Sequence, residues 1–192
     1  MTRLILSLGV VCASIMAIGS AGAADQACHP YHRIVFSGAA KPAAVTPWSV
    51  PALCQAYNFP TKLTSANGVI GIIELGGGYQ QADLDAFSAL YSMPKIQVIN
   101  VSIGGVQNNP GKDINSDAEV TLDIECAAGA YYYATGKMPT IYVFFAPNSY
   151  TSFINTIKAA SQLKCDVLSI SWGNDERSWQ LGAPGAAAAV EA

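Results

Sequence analysis

Residues 68–75 read Gly-Val-Ile-Gly-Ile-Ile-Glu-Leu and run directly into Gly76-Gly77-Gly78. An apolar, β-branched run of strand length closed by glycines is a buried strand followed by a turn. Gln80–Ser92 comes next with Leu84, Phe87, Leu90 and Tyr91 at helical spacing, and Lys95–Ser102 is a second strand. After a loop rich in Gly, Asn and Pro over 104–116, Asp117–Tyr133 reads as a helix and Thr140–Phe145 as a strand. Thr151–Leu163 then reads as a helix and Asp166–Trp172 as a strand. Alternating strands and helices imply an α/β fold: a parallel sheet, right-handed crossovers and helices on both faces. The nearly continuous apolar strands agree, because strands covered on both faces need not alternate.

Around this block the composition changes. Residues 24–66 form a Pro-rich N-terminal arm, broken by Pro30, Pro42, Pro47, Pro51 and Pro60, with a short helix expected over Val50–Tyr57. Residues 67–180 hold the α/β domain, and 181–192 (LGAPGAAAAVEA) form a low-complexity tail. Of the 192 residues 51% are hydrophobic and 12% charged, against ~25% charged in an average soluble domain. Lysines and arginines occur singly, so the clusters that neutralise phosphates are missing and nucleic acid is excluded as a partner.

Residues 1–23 read as a secretory signal peptide: Arg3 supplies the positive start, Leu4–Ile18 the apolar stretch, and Ala21-Gly22-Ala23 the cleavage site. The apolar run is shorter than the ~20 residues a membrane span needs. The expected location is therefore secreted or periplasmic, with no membrane contact after leader removal. Without the leader, nine basic residues face thirteen acidic ones. Cys28, Cys54, Cys126 and Cys165 remain, an even number that permits two disulfides with three connectivities in an oxidising compartment. Cys28 with Cys54 is the expected pair. Cys28, His29 and His32 invite a zinc reading, but no second ligand cluster accompanies them, so a solvated arm without metal is expected.

Several residues could carry chemistry. The glycine turn resembles a dinucleotide fingerprint, yet the third glycine is replaced by Gln81 and the second strand ends Asn100-Val101-Ser102 without an acid for a ribose. Glu119 and Asp123 stand at i and i+4, so both carboxylates leave one helix face. Two carboxylates a turn apart repel and share a proton, which suits one of them to act as a general base at acidic pH. The competing reading is a pair of solvated acids near a helix N-terminus. Glu74 and Trp172 close the first and last strands of the block, the sheet edge where function gathers in parallel α/β folds. A Glu in so apolar a strand needs a partner when desolvated, and the Trp N–H could supply it.

These residues carry a resemblance. Thr46-Pro47 through Tyr57-Asn58-Phe59-Pro60, Ile72–Tyr79 (IIELGGGY), Glu119–Glu125 (EVTLDIE), Phe145-Ala146-Pro147-Asn148 and Ser169–Gly173 (SISWG) resemble, in order, landmarks of the sedolisins. Those are serine-carboxyl peptidases with a subtilisin-like three-layer fold. The resemblance covers residues 46–179. It implies that Glu119 is the general base, that Asp123 orients it, and that Glu74 and Trp172 extend the network. It implies a secreted endopeptidase that cuts proteins or peptides at acidic pH.

The chain departs from the family pattern. It contains no Gly-Thr-Ser, the family's nucleophile motif, and no Gly-Asp segment follows Trp172 to provide the oxyanion acid. The family's long propeptide has only residues 24–45 in its place. The expectation is the N-terminal half of a catalytic domain, truncated before the nucleophile and catalytically incomplete alone. A complementary C-terminal half would then be its partner. No cofactor is expected in this chain, since the family's calcium site falls in that second half. The alternative is a secreted, non-catalytic binding or decoy module that keeps a peptidase-like surface.

Overall fold

A computed structural model describes residues 29–30, 48–64 and 67–173. The expected leader, most of the expected arm and the tail lie outside the described residues. In chain order the elements are β1 (His29–Pro30), α1 (Val50–Ala56), β2 (Val69–Glu74), α2 (Gln81–Leu90) and β3 (Val98–Ser102). They continue with α3 (Ile114–Thr135), β4 (Thr140–Phe145), α4 (Tyr150–Gln162), β5 (Val167–Ile170) and β6 (Trp172–Gly173).

Local chemistry explains the ends. Ser49 caps α1 by accepting from the Ala52 N–H at 3.2 Å, and Pro51 stands in its first turn. Asp113 caps α3 by accepting from the Asn115 N–H at 3.1 Å. That cap starts α3 three residues earlier than the apolar periodicity suggests. Its far end is Gly136, left-handed at φ 69°, a conformation glycine adopts without strain.

Four strands form one parallel sheet in the order β3-β4-β2-β5. The expected α/β architecture is present, with helices on both faces. On one face Ile72, Ile141, Val143 and Phe145 pack against Leu84 of α2 and Val120, Ile124 and Ala128 of α3. On the other, Ile73, Leu75 and Ala146 pack against Phe153 of α4 and Trp172.

The expectation that every crossover shares one hand fails once. The steps β2 to β3 and β3 to β4 run in opposite directions across the sheet, yet α2 and α3 lie on the same face. The step β4 to β5 reverses both direction and face relative to β2 to β3, so those two share a hand and the α3 connection has the other. Gly129 of α3 is a flat spot where an added Cβ would stand 3.1 Å from Val50 Cγ1 and 3.4 Å from Phe87 Cζ. There α3 closes against α1 and α2.

β1 pairs antiparallel with β6, His29 opposite Gly173 and Pro30 opposite Trp172. These two strands form a two-stranded sheet of their own beside the four-stranded one. Cys54, Cys126 and Cys165 are free thiols. The expected Cys28–Cys54 pairing involves Cys28, which lies outside the described residues.

Candidate functional site

β2 delivers Glu74 to the C-terminal edge of the sheet. Along this strand side chains alternate, so Ile70, Ile72 and Glu74 share the face turned to α3. The turn after it is closed from outside. A Cβ on Gly77, whose φ is 69°, would stand 2.5 Å from the Ser116 carbonyl carbon. The Tyr79 N–H donates to Asn108 Oδ1 at 2.8 Å, and Asn108 Nδ2 donates back to the Tyr79 carbonyl at 3.1 Å. The first turn of α3 and the 104–110 loop therefore pack directly against the turn, and close approach accounts for the glycine.

That approach brings α3 over the end of β2 with its two acids. Glu119 is buried at 3% exposure, one turn before Asp123. Glu74 is fully buried, and Trp172 Nε1 donates to its Oε2 at 2.8 Å. Ser171 Oγ donates to Asp123 Oδ1 at 2.9 Å. Two adjacent residues at the β5–β6 junction, Ser171 and Trp172, thus reach acids 48 and 98 positions away in sequence.

Charge is concentrated here without a cation among the described residues, whose ion pair, Lys95 Nζ with Asp85 Oδ2 at 2.6 Å, lies on the surface. Burial pushes Glu74 well above the ordinary carboxylate range, the Asp123 charge adds to this, the Trp172 hydrogen bond opposes it, and the Glu119 charge adds last. Burial likewise raises Asp123 to about 7, against the pull of the Ser171 bond and with a further push from Glu119. Cys126, next along the same stripe, is pushed up to about 12, by burial first and then by the charge of Asp123, ahead of Glu125, Cys54 and Glu119. Glu74 Oε1 and Asp123 Oδ2 are buried without a hydrogen-bond partner among the described residues. A carboxylate oxygen in that position is costly, and holding a proton is the simplest relief.

The structure therefore gathers buried Glu74, Glu119 and Trp172 with half-buried Asp123 into one cluster. Ser171 joins them, and the sequence reading did not name it. Its signal was slight: a position beside Trp172 near the end of a strand, with its partner on a helix far upstream. A cleft of about 460 Å³, lined by Asn100, Val101, Ser102, Gln107, Asn108 and Phe145, opens near the C-terminal ends of β3 and β4. A second pocket of about 240 Å³ sits further along α3, between Phe87, Tyr91, Met93, Tyr132 and Tyr133. It contains none of the cluster residues, so its shape says nothing about the acids. Among the described residues no group of three His, Cys, Asp or Glu side chains is arranged to hold a metal ion.

No family model matches the chain. The chain is similar to Kumamolisin from Bacillus sp. (strain MN-32), with 41% identity over 158 residues. The match takes in 80% of this chain and 27% of that protein's length.

Proposed function

We propose a function from one premise: the chain belongs to the sedolisin family of serine-carboxyl peptidases. On that premise it supplies the acid half of a peptidase site. Glu119 is the general base, Asp123 orients it, and Glu74 with Trp172 forms the outer end of the network. The burial of Glu74 and Glu119 beside a half-buried Asp123, with Glu74 and Asp123 held by Trp172 and Ser171, carries this reading. Perturbed acids gathered in one place are expected where proton transfer is needed. A general base must be ionised to accept a proton, and a carboxylate can remain so in acid where an imidazole is already protonated. The substrate class is protein or peptide, cut at acidic pH.

A base needs a hydroxyl to activate. The resemblance puts that hydroxyl in a Gly-Thr-Ser, and no such tripeptide occurs in the 192 residues. In this reading the chain alone is catalytically incomplete, and a complementary C-terminal half brings the serine, the oxyanion acid and the calcium site. The 1–23 leader directs it to a secreted or periplasmic location. Among the described residues no helix is long and apolar enough to cross a membrane.

Complementation tests the proposal. The chain alone hydrolyses no peptide at acidic pH. Mixed with the later part of a kumamolisin-type catalytic domain that carries Gly-Thr-Ser, it restores acid-dependent hydrolysis, which Glu119→Gln removes. Acid-dependent cleavage by the chain alone would overturn the incompleteness. Activity that survives Glu119→Gln would overturn the assignment of the base.

A further inference from the structure

Asp123 accepts a hydrogen bond from Ser171 Oγ at 2.9 Å, while its other oxygen, Oδ2, is buried without a partner among the described residues. The donor stands where β5 gives way to β6. Leu168, Ile170 and Trp172 turn to the α4 face, so alternation directs Ser171 to the α3 face. Trp172 meanwhile reaches round the edge to Glu74. Adjacent residues therefore fix two different carboxylates. The chemistry of the two donors is unlike. The indole of Trp172 is itself buried in the core at 4% exposure, whereas Ser171 is half-buried and contributes little but its hydroxyl.

We propose that Ser171 is a positioning residue of the carboxyl pair: its hydroxyl grips Oδ1 of Asp123 and so fixes how that side chain is presented to Glu119. The inference rests on the serine-carboxyl reading and adds to it a residue outside the Glu74, Glu119, Asp123 and Trp172 set. The groups that face Asp123 are Glu119 and Cys126 on its own helix and Glu74 from β2. All become negative on ionisation, so in their charged forms none can replace the Ser171 hydroxyl as a donor. An Asp side chain rotates about two torsions, and the Ser171 bond fixes the Oδ1 end of the carboxylate. The hydroxyl also favours the charged form of Asp123. Its loss therefore loosens the carboxylate and strengthens its hold on a proton.

The test is carboxyl carbon NMR titration of the full 192-residue chain, unsubstituted and as Ser171→Ala and Ser171→Thr, with backbone spectra to confirm folding. Ser171→Ala is expected to raise the Asp123 midpoint by roughly one pH unit, since a hydrogen bond to a charged group is worth about that. Ser171→Thr, which keeps the hydroxyl, restores most of it. An unchanged midpoint in Ser171→Ala, with Glu119 and Asp123 still coupled, overturns this inference alone. An equal shift in both variants overturns it as well, because packing and not the hydroxyl would then be responsible. Independent titration of Glu119 and Asp123 near the ordinary carboxylate value in the unsubstituted chain overturns the carboxyl-pair reading and the inference with it.

Discussion

The two faces of the sheet differ in how they end. Under α4, Ile73, Leu75, Ala146, Phe153 and Trp172 make an apolar cluster. The buried Thr156 on that side satisfies itself by donating to the Ser152 carbonyl at 2.7 Å. Under α2 and α3 the packing is as dense, with Leu84, Ile96, Val120, Ile124 and Val143 at 0% exposure. Yet at its C-terminal end this face also buries Glu74, Glu119 and much of Asp123. Both faces gain from removing apolar surface from water. Only one of them accepts the cost of desolvated acids. Such a cost is what a proton-transfer site looks like before its substrate and remaining catalytic groups are considered.

The packing half of this comparison carries the largest effects. Ile124→Ala on α3 should lose about 2–5 kcal/mol and Phe153→Ala on α4 about 3–5 kcal/mol in urea unfolding, from lost transfer energy and the cavity left behind. Losses of similar size would show that the two faces are equally well packed. A loss below ~1 kcal/mol at Phe153 would break the comparison at its base.

Next comes pH, which should act on one face only. The folded state raises Asp123 from 3.8 to about 7, so between those values the folded chain holds a proton that the unfolded chain has released. Stability is then complete below the unfolded value and falls as pH rises toward 7, by about 1.4 kcal/mol per unit at most. Glu125, raised to about 7 by burial and then by the Asp83 charge, acts in the same direction, weakened by its partial exposure. The melting temperature should therefore drop between pH 4 and pH 8. Glu74, raised well above the carboxylate range by burial, acts in the same direction, so Asp123→Asn should recover part of the drop at pH 8 and change little at pH 3. Thr156→Val under α4 should leave the slope unchanged. A flat profile would mean that the acids are solvated in solution.

Trp172→Phe is a finer probe, because it keeps the ring in the α4-side cluster and removes only the donor to Glu74. A loss of about 1–3 kcal/mol is expected, greater at pH 8 than at pH 3, since the bond favours the charged carboxylate. Equal loss at both pH values would assign Trp172 to packing alone. The smallest change belongs to Lys95→Ala. Its ion pair with Asp85 has side chains 69% and 30% exposed, so less than ~1 kcal/mol should be lost, and less still in high salt.

The α/β core was legible because its signals are local. Ile72-Ile73 and Val143-Phe144-Phe145 are apolar runs, and Leu84 with Phe87 or Val120 with Ile124 mark helical turns. The pairing of Glu119 with Asp123 follows from the 3.6-residue period alone. The start of α3 was less legible: apolar spacing points to Asp117, but the Asp113 cap sets it at Ile114. The glycines at 76–78 announced a turn without revealing what crowds it. Ser171 gave almost no signal, since its partner, Asp123, lies on a helix 48 positions upstream.

By itself the sequence determined the succession of strands and helices, the helical spacing of Glu119 and Asp123, and the resemblance those motifs carry. Each depends on torsional preference or on the period of one segment, which a few neighbouring residues specify. The tertiary structure alone decided the strand order β3-β4-β2-β5, the reversed hand of the α3 connection and the meeting of Glu74, Asp123, Ser171 and Trp172. These depend on which surfaces fit after the elements exist. Gly129 lets α3 close onto α1 and α2, Gly77 lets its first turn sit over β2, and only that docking takes the acids out of water and changes how tightly they hold a proton.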